Sequence, residues 1–124
     1  MKKHESQMSQ AEKETVAARV REIAEKIIST HAAGRMTQKG VTGRELEIAL
    51  KYGHAVEIHD EANELRAVIR HAFGKPKVAV CAVVGLASGL VVTTWKNAGS
   101  DNHATLNAFV YDKAMPVLAM LGAR

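Results

Sequence analysis

Four side chains that could grip an anion lie within one short stretch of this chain. The run from His31 to Arg44, His-Ala-Ala-Gly-Arg-Met-Thr-Gln-Lys-Gly-Val-Thr-Gly-Arg, carries His31, Arg35, Lys39 and Arg44 and no acid. Guanidinium and ammonium groups supply fixed positive charge. An imidazole with an ordinary pKa near neutrality can give or take a proton at working pH. A second pair of guanidiniums, Arg66 and Arg70, stands four residues apart in a β-rich segment. On one strand face that spacing separates them by about 13 Å, a span that could straddle a phosphate backbone.

Two helical patterns flank the basic run. Ser9 is an N-cap with Glu12 at the capping-box spacing. Val16, Val20, Ile23, Ile27 and His31 then recur at three- and four-residue steps, with Ala17, Ala24 and Ile28 beside them. This predicts an amphipathic helix of more than four turns with Gly34 as its stop. Arg35 to Val41 is then a linker. Thr42 caps a second helix with Glu45 as reciprocal partner, Leu46, Ala49 and Leu50 as its apolar face, and Gly53 as its end. The linker and the first turn of this helix would present backbone N–H groups beside the basic side chains.

The remainder reads as sheet. Ala55 to His59 is a short strand, followed by a polar turn at Asp60 to Asn63. Leu65, Ala67, Ile69 and His71 alternate with Arg66, Val68, Arg70 and Ala72, which gives one apolar face and one face with two Arg. Val78 to Val84 is apolar on both faces, as a central strand would be, and Leu90 to Lys96 is rich in β-formers. Turns at Phe73 to Pro76 and Gly85 to Gly89 make this a four-stranded antiparallel meander. Ala98 to His103 is a loop, and Val110, Ala114, Val117, Leu118 and Leu121 have helical spacing. Pro116 is tolerated only in a first turn, which makes Asp112 the cap of this last helix. The expected fold is α+β: two N-terminal helices packed on a four-stranded antiparallel meander, with a C-terminal helix. Residues 1–30 form an N-terminal helical extension, 31–97 the core, and 98–124 the C-terminal loop and helix.

Bulk properties narrow the function classes. The 124 residues are enough for one core and too few for two. With 47% hydrophobic and 24% charged residues the composition is globular, and with 4% aromatics the core must be aliphatic. A net charge of +4 leans toward polyanions, though only weakly. The lone Cys81 sits in an apolar run and fits a reducing compartment. The polar N-terminus lacks the apolar stretch of a signal peptide, and the longest apolar run, Val78 to Leu90, is interrupted by Gly85, Ser88 and Gly89. A cytoplasmic protein without membrane contact is expected. His54 and His59 are not at the helical spacing of zinc sites, and no phosphate loop or dinucleotide fingerprint is present, so no metal or other cofactor is expected.

The core resembles a family of small prokaryotic and phage domains of unknown function. The residues that carry the resemblance are His31, Arg35-Met36, Lys39-Gly40-Val41-Thr42 and, at the far end, Val92-Thr93-Thr94-Trp95. Lys39 stands where family members usually have Arg. That family is similar to the barnase–EndoU–colicin–RelE group of metal-independent ribonucleases, many of them toxins. The resemblance implies two helices on one face of a four-stranded antiparallel sheet, with the active site on the other side or the rim.

Metal-independent RNA cleavage needs a base for the ribose 2′-OH, cations for the crowded phosphorane, and an acid for the leaving oxygen. The catalytic candidates are His31, Arg35 and Arg70. The substrate-binding candidates are Lys39, Arg44, Arg66, Thr94 and Trp95, the last able to stack a base. Each has a structural alternative. His31 is in phase with the apolar stripe, Arg35 could pair with Glu45, Arg66 and Arg70 with Glu57 or Glu64, and Trp95 could be core. The leading expectation is an RNA-binding, toxin-like domain with an RNA substrate and an antitoxin or host-protein partner. The alternative is a non-catalytic interaction module, a phage or mobile-element regulator, using the first helix or the C-terminal segment for a partner or a homodimer.

Overall fold

The computed structural model of the chain describes residues 1–23, 25–61, 63–74, 78–98 and 111–123. Its first strand, β1 (Lys2–His4), leads through a single 3-10 turn into α1 (Gln10–Glu22). The capping box expected at Ser9 is formed: the Glu12 N–H donates to Ser9 Oγ at 3.1 Å, and the Ser9 N–H donates to Glu12 Oε1 at 2.9 Å. Glu12, Val16 and Val20 make the buried stripe.

The long first helix is not continuous. It stops at Ile23, and Ile27–Ile28 pair instead as a short strand, β2, parallel to the end of the meander. Helical hydropathy spacing cannot distinguish one helix from a helix, a strand and a second helix that share an apolar side. Here tertiary pairing wins for β-branched residues with weak helix preference. Ser29 restarts the helix by accepting the Ala32 N–H at 3.0 Å, and its own hydroxyl donates to the Val92 carbonyl at 3.0 Å.

The helix it caps, α2 (Thr30–Lys39), contains most of the stretch expected to be a linker. Gly34 is an interior residue and not a stop. The stop is Gly40, at φ 67°, and the Val41 N–H closes the turn on the Met36 carbonyl at 2.9 Å. The next helix, α3 (Gly43–Tyr52), begins as expected: Thr42 and Glu45 form the capping box, and Gly53 ends it.

Strands β3 (His54–Glu61), β4 (Glu64–Phe73), β5 (Val78–Gly85) and β6 (Leu90–Ala98) form the antiparallel meander. The α+β class is as expected, but the arrangement is not. The sheet has six strands in the order β1-β3-β4-β5-β6-β2, and three helices precede the meander. Residues 1–30, expected as a helical extension, supply α1 and both outer strands. The final helix, α4 (Val117–Ala123), starts after Pro116, later than expected. Asp112 accepts the Ala114 N–H at 2.9 Å in a turn ahead of it and does not cap it. Lys75–Lys77, the expected loop after Ala98, and Val110 lie outside the described residues.

One face of the sheet is covered by helices. α2 lies over β6, α3 over β4 and β5, and α1 over β3, with α4 against α1. Val16, Val20, Leu46, Ala49 and Leu50 meet Ile58, Ala67, Ile69, Ala82, Val84 and Val91 in one aliphatic core. Strand alternation therefore turns Glu57, His59, Arg66, Val68, Arg70, Cys81 and Trp95 toward the other face, since each follows or precedes a residue of the core face along its strand and they pair with one another across the strands.

Candidate functional site

The predicted site residues divide between two places. His31, Arg35 and Lys39 follow one another at four-residue steps along α2. They share one helix face, each about 6 Å further along the axis. His31 and Lys39 are exposed and Arg35 is half-buried. Ala32 and Met36 are the residues of this helix that face the core. Arg35 does not pair with Glu45. Its Nη1 lies 3.5 Å from Gln38 Oε1, and Glu45 is held by Lys96 at 3.1 Å. The basic run thus lies on one face of a helix and not in a turn, exposed at His31 and Lys39 and half-buried at Arg35. Arg44 is exposed in the first turn of α3.

Arg70 is on the opposite face of the sheet from α2. It is 7% exposed and sits across from His54 on one side and Cys81 on the other. The expected catalytic group His31, Arg35 and Arg70 is therefore not brought together. Thr94 is fully buried and donates its hydroxyl to the Cys81 carbonyl at 2.6 Å, which makes it a structural residue. Trp95 is half-buried and faces away from the helices, opposite Cys81.

The sheet face away from the helices holds a group of which Arg66 alone was expected as a site residue. Glu57 Oε1 lies 2.8 Å from His59 Nε2 and 3.9 Å from Lys2 Nζ. The short imidazole contact is an ion-pair distance without the alignment of a hydrogen bond. Arg66 stands directly across from His59 in the β3–β4 register, and its Nη1 is 3.8 Å from Glu61. The Arg66 Nε is a buried donor without a hydrogen-bond partner among the described residues. Such donors are uncommon and mark unspent hydrogen-bonding capacity.

Burial of Glu57 works to raise its carboxyl pKa. His59, then Lys2 and the Tyr111 hydroxyl, outweigh burial and hold it below the ordinary carboxylate value. Tyr111 moves the other way, raised by burial and by the Glu57 charge. The Tyr111 ring also meets His4 edge-on, with centroids 5.4 Å apart, and His4 is buried beside it. A carboxylate, an imidazole, a guanidinium and an ammonium thus share one patch, which can accept a proton, donate one and hold an anion.

The signal for this patch was present in the sequence as Glu57-x-His59, two residues of one strand face. What could not be read was that Arg66 lies opposite His59, because register depends on the hairpin turn and on a bulge between Ala55 and Glu57. No group of three or more His, Cys, Asp or Glu side chains placed to hold a metal ion occurs among the described residues. No described helix is long and apolar enough to cross a membrane. No family model matches the chain, and no curated protein or solved structure matches it.

Proposed function

We propose that this domain is an RNA-binding, toxin-like protein of the cytoplasm that cleaves RNA without a metal, using the sheet face away from its helices. The observation that carries the reading is the contact of Glu57 with His59 at 2.8 Å, with Arg66 in register across from the imidazole. Glu57, held ionised at neutral pH, is the base for the ribose 2′-OH. The 2′-oxygen then attacks phosphorus and the bond to the 5′-oxygen breaks. His59 supplies the proton that the leaving oxygen takes. Arg66 and Lys2 neutralise the phosphorane oxygens, where charge builds up. The stripe His31, Arg35 and Lys39 is a separate electrostatic surface for the RNA backbone, as is Arg44.

The test is cleavage of a mixed-sequence labelled RNA in EDTA by wild type, Glu57→Gln, His59→Ala, His31→Ala and Arg35→Ala. The expected result is loss of cutting by about a hundredfold or more in the first two variants. The α2 variants should weaken binding, with a shallower salt dependence. Cutting that survives His59→Ala and Glu57→Gln with the fold intact removes this patch as the active site. No cutting by wild type at high concentration removes the ribonuclease reading itself.

A further inference from the structure

The outer strand β2 leaves one edge of the sheet open. Its inner edge is bonded to β6: the Ile27 N–H donates to the Gly89 carbonyl at 2.9 Å, and the Ser29 N–H to the Val91 carbonyl at 3.1 Å. Backbone groups alternate along a strand, so the N–H and C=O of Ile28 point outward, where no strand pairs with them among the described residues. Unpaired strand edges are templates for strand addition, and proteins that do not use them guard them with charge, proline or a very short strand. β2 has only two residues, and it presents Ile27 at 57% exposure and Ile28 at 41%.

Ile28 forms one wall of a trough of 230 Å³ whose other apolar walls are Met36, Leu46 and Leu50. The trough runs into a second hollow of 380 Å³ with which it shares Lys26, Glu47 and Leu50, and which adds Arg21 and Lys51. The apolar floor thus ends at a rim of three cations and one carboxylate. Glu22, at the end of α1, and Glu25 beyond it are exposed but do not line either hollow. A second copy of the chain docked edge to edge would bring this cationic rim against itself, at a cost in repulsion. A segment carrying carboxylates would not.

We propose that the outer edge of β2 is a docking site for an extended acidic–apolar segment of a partner protein. The segment adds as a strand beside Ile27–Ile28, seats an apolar side chain in the trough, and sets a carboxylate on the same side against Arg21, Lys26 and Lys51. Main-chain bonds to Ile28 provide affinity that is independent of sequence, and the trough and rim provide selectivity. The site is separate from the Glu57–His59–Arg66 patch and does not depend on it.

A random peptide library displayed on phage, panned on the full chain and counter-panned on Ile28→Asp, tests the proposal. Enriched peptides should carry an apolar residue with Asp or Glu two residues away. When synthesised, they should bind Ile28→Asp at least tenfold more weakly than wild type by fluorescence anisotropy. Lys26→Glu combined with Lys51→Glu, which leaves Ile28 in place, should weaken them similarly, and added salt should weaken binding to wild type. RNA cutting by both variants should equal that of wild type. Several results would overturn the proposal: no enrichment, enriched peptides indifferent to Ile28→Asp and to the charge reversals, displacement of the peptide by single-stranded RNA, or a wild-type dimer that Ile28→Asp turns into a monomer.

Discussion

The two edges of the sheet are built by opposite means. β1 closes its edge with charge. Lys3 is buried, and its ammonium donates to both oxygens of Glu12 at 2.9 Å and to the Met115 carbonyl at 3.1 Å. One side chain therefore joins a strand, the first turn of α1 and the C-terminal segment. The outer side of β1 is used as well, since the Asp112 N–H donates to the Lys2 carbonyl at 2.7 Å. β2 has only two residues, no buried ion pair and two exposed isoleucines. An edge that is covered and cross-linked serves stability, and one left bare and apolar is available for recognition.

Breaking the β1 lock should have the largest effect. Lys3→Met leaves the Glu12 carboxylate buried without its cation, which costs about 3–5 kcal/mol and should show as a large fall in the urea midpoint. The pH dependence sharpens this expectation. Burial pushes the Glu12 carboxyl up, but the Ser9 N–H and Lys3 together hold it below its ordinary value of 4.5. Glu57 is held low in the same direction. Each therefore contributes stability that is fully present above pH 4.5 and is lost as pH falls through the lowered folded values. In Lys3→Met, burial acts on Glu12 without the opposing ammonium. The deficit relative to wild type should be widest at neutral pH and narrow in acid. A deficit independent of pH in urea titrations would mean that Lys3 acts through packing alone.

The β2 edge can be broken from the side of its neighbour. Gly89 has φ 74°, and a Cβ there would stand 2.7 Å from the Glu25 carbonyl and 2.9 Å from Ile23 Cγ2. The close approach of the Ile23–Ile27 segment to the β5–β6 turn depends on that missing atom. Gly89→Ala should cost about 1–3 kcal/mol from the strained backbone and the displaced segment. It should also raise amide exchange at Ile27 and Ser29 while leaving β1 protected. Loss of protection at β1 as well would show that the two edges open as one cooperative unit.

Different kinds of signal decided what could be read from sequence. Capping boxes at Ser9 and Thr42, the alternation of β4 and the apolar and β-rich runs of β5 and β6 are local, and they placed α1's start, α3 and the four strands of the meander. The break at Ile23 was not legible, because Ile27 and Ile28 keep the helical phase of Val16 and Val20. Only the distant Gly89 and Val91 carbonyls draw them into a strand. β1 was not expected, because a polar Lys-Lys-His strand has no apolar alternation. Its burial comes from an ion pair with a residue nine positions away. The site residues depend on long-range structure in the same manner. His31, Arg35 and Lys39 were expected in and beside a linker and fall on one helix face, and which sheet face Arg70 takes relative to α2 is set by topology. The Glu57–His59–Arg66 patch needed a strand register that only the folded hairpin specifies.

The smallest expected effect is the most direct measure of the contrast between the edges. Ile27→Thr keeps the β-branch and removes apolar surface from a side chain that is more than half exposed. Strand preference is conserved, and little area leaves or enters water on folding, so stability should change by no more than about 0.5 kcal/mol. Ile58, which pairs with Lys3 beside β1, is fully buried. Ile58→Thr forfeits buried methyl groups and brings a hydroxyl into the aliphatic core, so a loss of at least about 2 kcal/mol is expected. Chemical denaturation of the two variants in parallel gives the comparison. Equal losses would mean that Ile27 is packed in solution, by the chain itself or by another copy, and that the β2 edge is not free. A loss confined to Ile58→Thr would mean that Ile27 adds nothing measurable to the fold and that its apolar surface is open to contact with another molecule.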